Sequence, residues 1–162
     1  MKSLNEDLKT GQLKQIYLLY GEEAIFKKTV IKNKLHYAIV PPDDTMNYAY
    51  YEGKGINAKE VIDLAETLPF FAERRLIILE NSGFFKNASP ELSDYIKELP
   101  ETTSMIFVES EIDKRGKLYK AVKDKGRVVE LGRQDESTLL RWIAGSVRRE
   151  NKQVTEQVIR FF

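Results

Sequence analysis

Five short apolar segments that alternate with amphipathic helical patterns restrict the fold of this 162-residue sequence more than any other feature. Each segment is too short for a buried helix, and most are followed by glycine or flanked by charged residues, which is typical of buried strands. Strands joined through helices are placed parallel in one sheet with helices on both faces. The pattern therefore predicts a three-layer α/β domain around a five-stranded, mostly parallel sheet, with strands at 16–20, 46–52, 75–80, 104–109 and 127–131.

The helical patterns between these strands have recognisable ends. Asn57 can cap the third helix, whose apolar stripe comprises Val61, Leu64, Ala65 and Leu68. The sequence predicts helices at 4–10, 22–39, 57–68, 89–99 and 114–125. After residue 132 only helical patterns follow, at 138–150 and 155–162. We therefore interpret 1–134 as one α/β domain and 135–162 as the truncated start of a second, helical domain.

The composition excludes several functional classes. There is no cysteine, which rules out disulfides and thiolate nucleophiles and agrees with a cytoplasmic location. No apolar run approaches the roughly 20 residues of a membrane helix, and the net charge of +1 gives no overall attraction to nucleic acid or membranes. His36 is the only histidine, and we expect it to be structural. Glu109, Glu111 and Asp113 match no calcium loop, so we expect no metal site and no catalytic constellation.

The loop after the first strand lies where many α/β domains bind a nucleotide, but its residues do not suit phosphate. It reads GEEAIFKK (21–28) and lacks the Gly-Lys-Ser/Thr ending of a phosphate loop. Glu22 and Glu23 stand at the predicted helix N-terminus, where carboxylates stabilise the helix and repel an anion. Each like-charge contact at about 4 Å costs roughly 1–4 kcal/mol. We therefore expect no nucleotide cofactor, and Glu80 at the end of the third strand is a poor remnant of a magnesium-binding strand end.

A basic segment covers residues 114–127, which read KRGKLYKAVKDKGR. Its helical spacing places three apolar residues toward the core and leaves four lysines outside: Lys117, Lys120, Lys123 and Lys125. A solvated helix face explains this pattern. A sequence-independent contact with the phosphate backbone of DNA is the alternative.

The stretch LPFFAERR (68–75) is unusual because a proline and two phenylalanines interrupt a helical pattern just before a strand. Pro69 is expected to end one helix and start a short new one. On a continued helix Phe70 would point about 180° from Val61, away from the core, with Phe71 at the edge of the apolar stripe. Phenylalanine is among the most buried residue types, so the residues alone leave both a core pair and an outward-facing pair open.

The chain resembles the delta subunit of the bacterial DNA polymerase III clamp loader. The resemblance is carried by IYLLYGEE (16–23) and, more specifically, by LPFFAERRL (68–76), together with the order and spacing of the five strands. It implies an AAA+-like domain without a functional ATP site over 1–134, and the start of the helical lid at 135–162. It further implies a non-enzymatic subunit of the DNA polymerase III holoenzyme that binds the sliding clamp (the beta subunit) and helps open its ring for loading onto primed DNA.

The same resemblance assigns roles to particular residues. In the family, two adjacent hydrophobic residues on a short helix between strands two and three enter a pocket on the clamp. By position these are Phe70 and Phe71, with Leu68 and Pro69 beside them. The family's chain is about twice as long and has a collar domain, absent from this sequence, through which the other loader subunits would bind.

Two other functions remain open from the residues. One is a nucleotide-dependent α/β enzyme with a degenerate phosphate loop, which nucleotide binding would reveal. The other is a nucleic-acid-binding module that uses the basic helix, which salt-sensitive binding to unspecific DNA would reveal.

Overall fold

The computed structural model describes residues 2–21 and 25–131. Five helices and five strands alternate along this part of the chain, as the sequence predicts. The helices are α1 (Lys2–Thr10), α2 (Ile25–Ile39), α3 (Ala58–Ala65), α4 (Pro90–Ile96) and α5 (Lys117–Lys125). The strands are β1 (Ile16–Tyr20), β2 (Tyr48–Glu52), β3 (Arg75–Glu80), β4 (Thr103–Glu109) and β5 (Arg127–Glu130).

The five strands form one sheet in the order β2-β3-β4-β1-β5, and every neighbouring pair is parallel. The α/β prediction is therefore confirmed, with a sheet that is wholly parallel. All strands run the same way, so their first residues share one edge of the sheet, the amino edge, and their last residues share the carboxyl edge. Loops that carry a function can therefore lie at either of these two edges.

Helices cover both faces of the sheet because consecutive strand residues point to opposite sides. In β3, Ile77 and Leu79 pack with α3, α4 and α5, whereas Leu76 and Ile78 pack with α1 and α2. All four side chains are fully buried. The result is the predicted three-layer arrangement, with two apolar cores separated by the sheet.

Helix α1 begins two residues before its predicted start and α4 ends three residues before its predicted end, and the bounds of α3 and α5 differ for local reasons. Helix α3 ends at Ala65, so Leu68 is not a core residue and its side chain is 78% exposed. The backbone N–H and the hydroxyl of Thr67 both donate to the Leu64 carbonyl, which closes the helix before Pro69. Helix α5 begins at Lys117 rather than at residue 114, after a turn at 113–116.

Other expectations fall partly outside the described residues. The predicted helical domain at 135–162 lies beyond them, as do Glu22 and Glu23 of the loop after β1. Across 2–21 and 25–131, no helix is long and apolar enough to cross a membrane, and no cluster of three or more potential metal ligands is found. His36 has the expected structural role, since it is partly buried and its ring stacks on Tyr48 at a centroid distance of 4.0 Å.

Candidate functional site

The segment 66–74, which we call the aromatic loop, joins α3 to β3 at the amino edge of the sheet. The short helix expected at Pro69 is not formed, and the loop is a succession of bends. One reason is the backbone of Phe71, whose φ of 51° is in the left-handed region and cannot continue a right-handed helix. The loop therefore presents its aromatic pair without a helical support.

The two phenylalanine rings of this loop face outward. Phe71 is 94% exposed and Phe70 is 54% exposed, and their rings meet edge to face at 4.6 Å. Leu68 is also exposed, whereas Pro69 is partly buried. The expectation that the pair is exposed in the free domain is confirmed, and a core role for the pair is wrong. Met46, just before β2, is another exposed large apolar residue.

A single asparagine holds the backbone of the loop. The side-chain oxygen of Asn47 accepts a hydrogen bond from the Phe70 N–H at 2.6 Å, and its side-chain nitrogen donates to the Phe70 carbonyl at 2.8 Å. The Asn47 side chain is only 1% exposed, although it is attached to a loop residue next to β2. The Asn47 carboxamide thus bonds both the N–H and the carbonyl of Phe70, while the Phe70 ring remains exposed.

An arginine holds the preceding part of the loop. The guanidinium of Arg75 donates to the carbonyls of Thr67 at 3.3 Å and Leu68 at 3.2 Å, and it also donates to the Met46 carbonyl at 3.4 Å. Arg75 is buried at the first position of β3. One planar cation therefore ties the aromatic loop to the segment that precedes β2.

Asp44 in turn holds Asn47. Its carboxylate accepts from the backbone N–H groups of Met46 and Asn47 and from the Asn47 side-chain nitrogen at 2.9 Å. The side-chain hydrogen bond from Asn47 is the main reason that the pKa of Asp44 lies below its ordinary value. The turn expected around Asp43 and Asp44 is confirmed by the bond from the Asp44 N–H to the Pro41 carbonyl.

Sequence analysis missed the supporting roles of Asn47 and Arg75. Asn47 lies 23 residues before Phe70 and was placed inside the second strand, where an asparagine carries no special signal. Arg75 reads as a charged residue flanking an apolar strand. The Asn47 carboxamide and the Arg75 guanidinium come together beside the aromatic loop only when β2 pairs with β3.

A groove of about 500 Å³ runs beside the aromatic loop. It is lined by residues of the aromatic loop, Phe71, Ala72, Glu73 and Arg74, by residues at and after the C-terminal ends of α1 and α2, and by Asp44. Phe71 therefore borders a concave surface of mixed polarity.

At the carboxyl edge, where a nucleotide would be expected, the structure instead has close backbone packing and contacts between lysine and glutamate residues. A Cβ at Gly21 would collide with the Leu131 carbonyl oxygen, so close packing of β1 against the end of β5 explains this glycine. The buried ammonium of Lys28 donates to the Glu109 carbonyl at 3.2 Å, and burial lowers the pKa of Lys28. The Glu80 carboxylate accepts from Lys32 at 3.2 Å and from the Tyr50 hydroxyl.

The basic helix α5 has the orientation that its sequence predicts. Leu118, Ala121 and Val122 are buried. The four lysines assigned to the outer face, Lys117, Lys120, Lys123 and Lys125, are all exposed. The helix packs on β1 and β5, at one end of the strand order, whereas the aromatic loop adjoins β2 and β3, at the other end. The structure therefore brings together the predicted aromatic residues and keeps the predicted lysines apart from them.

The sheet order 2-3-4-1-5 and the three layers define an AAA+-like module of the kind found in clamp-loader proteins. The family model described as "DNA polymerase III, delta subunit" matches residues 17–132. This chain therefore belongs to the DNA polymerase III delta subunit family.

Individual relatives agree with this assignment. The chain is 26% identical over 136 residues to the DNA polymerase III subunit delta of Bacillus subtilis, covering 77% of this chain and 39% of that protein. The solved structure of the B. subtilis DNA clamp loader delta protein matches with a TM-score of 0.70 at 25% identity, covering 80% of this chain and 42% of that one. The chain thus spans about four-tenths of the length of these relatives.

A more distant structure shares the fold. A DNA polymerase III gamma subunit-related protein of Thermotoga maritima matches with a TM-score of 0.59 at 14% identity, over 83% of this chain and 47% of that one. At this identity the likeness concerns the fold alone.

Proposed function

We propose that this domain is the clamp-binding module of a clamp-loader delta subunit, and that Phe70 and Phe71 are the anchor that enters an apolar pocket of the sliding clamp. Leu68 and Pro69 flank the anchor. The observation that carries the proposal is the outward display of two large rings on a backbone that buried polar groups hold from behind. In the full-length protein, the contact would help open the clamp ring for loading onto primed DNA, with the other loader subunits bound through the region beyond this chain.

The energetics favour a partner for this loop. Burying a phenylalanine side chain contributes roughly 1.5–3 kcal/mol, and phenylalanine is among the residue types enriched in the buried core of protein interfaces. Because Phe71 contributes almost no burial to the free domain, its ring gives the fold little stability. The free energy of its burial is available to a complex instead.

The test is a double measurement on Phe70→Ala/Phe71→Ala. Clamp affinity, measured by calorimetry or surface plasmon resonance, should fall by about a hundredfold or more, since two buried rings are lost. The midpoint of thermal unfolding should change little, because surface substitutions usually stay within about 0.5 kcal/mol. Unchanged affinity in a folded variant would place the clamp contact elsewhere.

We also propose that the domain is not an ATPase. The loop after β1 has no lysine in the phosphate-loop position, and the described lysines nearby are engaged with Glu109 and Glu80. Calorimetry with Mg-ATP should therefore detect no tight binding. Saturable micromolar binding would instead support the nucleotide-dependent enzyme.

The exposed lysines of α5 support a second candidate role, a contact with the phosphate backbone of DNA. The four side chains lie on one helix and are exposed. Lys120→Glu/Lys123→Glu should weaken salt-sensitive binding to unspecific duplex DNA and leave clamp affinity unchanged. Equal DNA binding by the variant and the original chain would exclude this face.

A further inference from the structure

We infer that Asn47 is a positioning residue for the aromatic loop: its carboxamide fixes the backbone of Phe70 so that the two rings are arranged for binding before the partner arrives. This inference rests on the proposed function of Phe70 and Phe71. Arg75 has the same role for Thr67 and Leu68.

The geometry at Phe70 is specific to an amide side chain. Asn47 both accepts from the Phe70 N–H at 2.6 Å and donates to the Phe70 carbonyl at 2.8 Å. An aspartate could accept the first bond but could not donate the second. Its added charge would also lie beside the Asp44 carboxylate, which now accepts from the Asn47 nitrogen at 2.9 Å.

The loop needs such support because its own residues provide little. Beyond Thr67 the loop has no helical turn, and three of its large side chains, Leu68, Phe70 and Phe71, are exposed. Phe71 has a φ of 51°, a conformation that an unsupported non-glycine residue leaves readily. Such a conformation persists when surrounding groups hold it. The buried polar groups that bond the loop backbone just before Phe71 are Asn47, at Phe70, and Arg75, at Thr67 and Leu68.

Fixing a loop in its bound shape increases affinity because less conformational entropy is lost on binding. Removing the Asn47 carboxamide leaves the rings present and exposed but releases the Phe70 backbone. We therefore expect Asn47→Ala to weaken clamp binding by about tenfold, less than the loss of the rings themselves.

The experiment compares Asn47→Ala with Asn57→Ala, a matched control. Asn57 also accepts a backbone hydrogen bond, from Lys59 at 2.9 Å, but it caps the N-terminus of α3, whereas the aromatic loop follows the C-terminus of that helix. Both variants lose an asparagine that supports the backbone, and only Asn47→Ala should lose affinity for the sliding clamp. Hydrogen exchange should show faster opening of the Phe70 amide in Asn47→Ala alone. Equal affinity of Asn47→Ala and the original chain would overturn the inference.

A double-mutant cycle separates positioning from general destabilisation. The loss of affinity caused by Asn47→Ala should be smaller in a Phe71→Ala background, because one of the positioned rings is already absent. Full additivity would overturn the positioning role. If Asn47→Ala does not fold, Arg75→Lys keeps the buried charge but loses the guanidinium fork, and it should show the same reduced effect in the Phe71→Ala background.

These results also separate the inference from the proposed function. If Phe70→Ala/Phe71→Ala binds the clamp normally, the proposed anchor is wrong. If that variant fails to bind while folded Asn47→Ala and Arg75→Lys bind normally, the anchor stands and the positioning role is wrong.

Discussion

Two pairs of phenylalanine rings meet edge to face in this domain, one in the core and one on the surface. Phe85 and Phe107 have ring centroids 5.1 Å apart at an angle of 80°, and both rings are buried. Phe70 and Phe71 are 4.6 Å apart at 83°, yet Phe71 is 94% exposed. Nearly the same ring geometry thus occurs in two opposite environments. The contact between the rings therefore does not determine what either pair contributes.

The difference lies in what surrounds each pair. Around Phe85 and Phe107, apolar side chains from the sheet and from the helices on that face fill the remaining space. At the surface pair, by contrast, the backbone of Phe70 is hydrogen-bonded to the polar side chain of Asn47. The nearby Leu68 carbonyl accepts a hydrogen bond from the side chain of Arg75. The first environment stabilises the fold, whereas the second fixes a backbone and leaves the apolar surface free for a partner.

The largest effect expected from this comparison is on stability. Phe107→Ala should reduce the free energy of unfolding by about 3–5 kcal/mol, because it leaves a cavity in a close-packed core. Phe70→Ala/Phe71→Ala should change it by less than about 1 kcal/mol, because most of the removed surface is already in water. Urea unfolding of both variants measures the difference. Similar losses in the two variants would show that the exposed pair supports the core after all.

The fold was largely accessible from the sequence, and the reasons are physical. Short apolar segments such as Ile16–Tyr20 can be satisfied only as strands buried on both faces, and helices between them force parallel connections. Helix bounds were less accurate. Thr67 and Pro69 close α3 early through local hydrogen bonding and the missing N–H, so an apolar spacing that includes Leu68 overestimates its length.

The candidate site was only partly accessible. The resemblance identified Phe70 and Phe71, and the prediction that they are exposed is confirmed. Their conformation was not predictable: Phe71 has a positive φ, and the side chain that bonds the backbone of the neighbouring Phe70 lies 23 residues earlier in the sequence. Asn47 acquires its role only when β2 pairs with β3, and a single sequence gives no sign of that contact.

An intermediate effect concerns the backbone of Phe71. At a φ of 51°, glycine is tolerated without the penalty of about 1–2 kcal/mol that other L-residues incur. Phe71→Gly should therefore be more stable than Phe71→Ala by about 1 kcal/mol, while both lose clamp affinity. At Phe107, in a regular strand, the order should be reversed, with glycine less stable than alanine. Chemical denaturation of the four variants tests this inversion, and the same order at both positions would contradict it.

The smallest effect is a pH dependence at Asp44. Its pKa is lowered in the folded state, chiefly by the hydrogen bond from Asn47. The stabilisation from this carboxylate is therefore present above its ordinary pKa and is lost as the pH falls through the lowered value. NMR titration should find the pKa of Asp44 below its ordinary value, and Asn47→Ala should raise it. An unchanged titration in Asn47→Ala would show that Asn47 does not hold this group.

Hydroxyl-radical footprinting of the complex with the sliding clamp tests the central claim most directly, because it reports ring exposure without changing the chain. In the free domain, Phe71 should be oxidised readily, whereas the buried Phe85 and Phe107 should be protected. At saturating clamp, oxidation of Phe70 and Phe71 should fall several-fold, while the aromatic Tyr119 on the basic helix should keep its reactivity. If Phe71 were oxidised at the same rate in the saturated complex, the outward-facing pair would not be the clamp anchor.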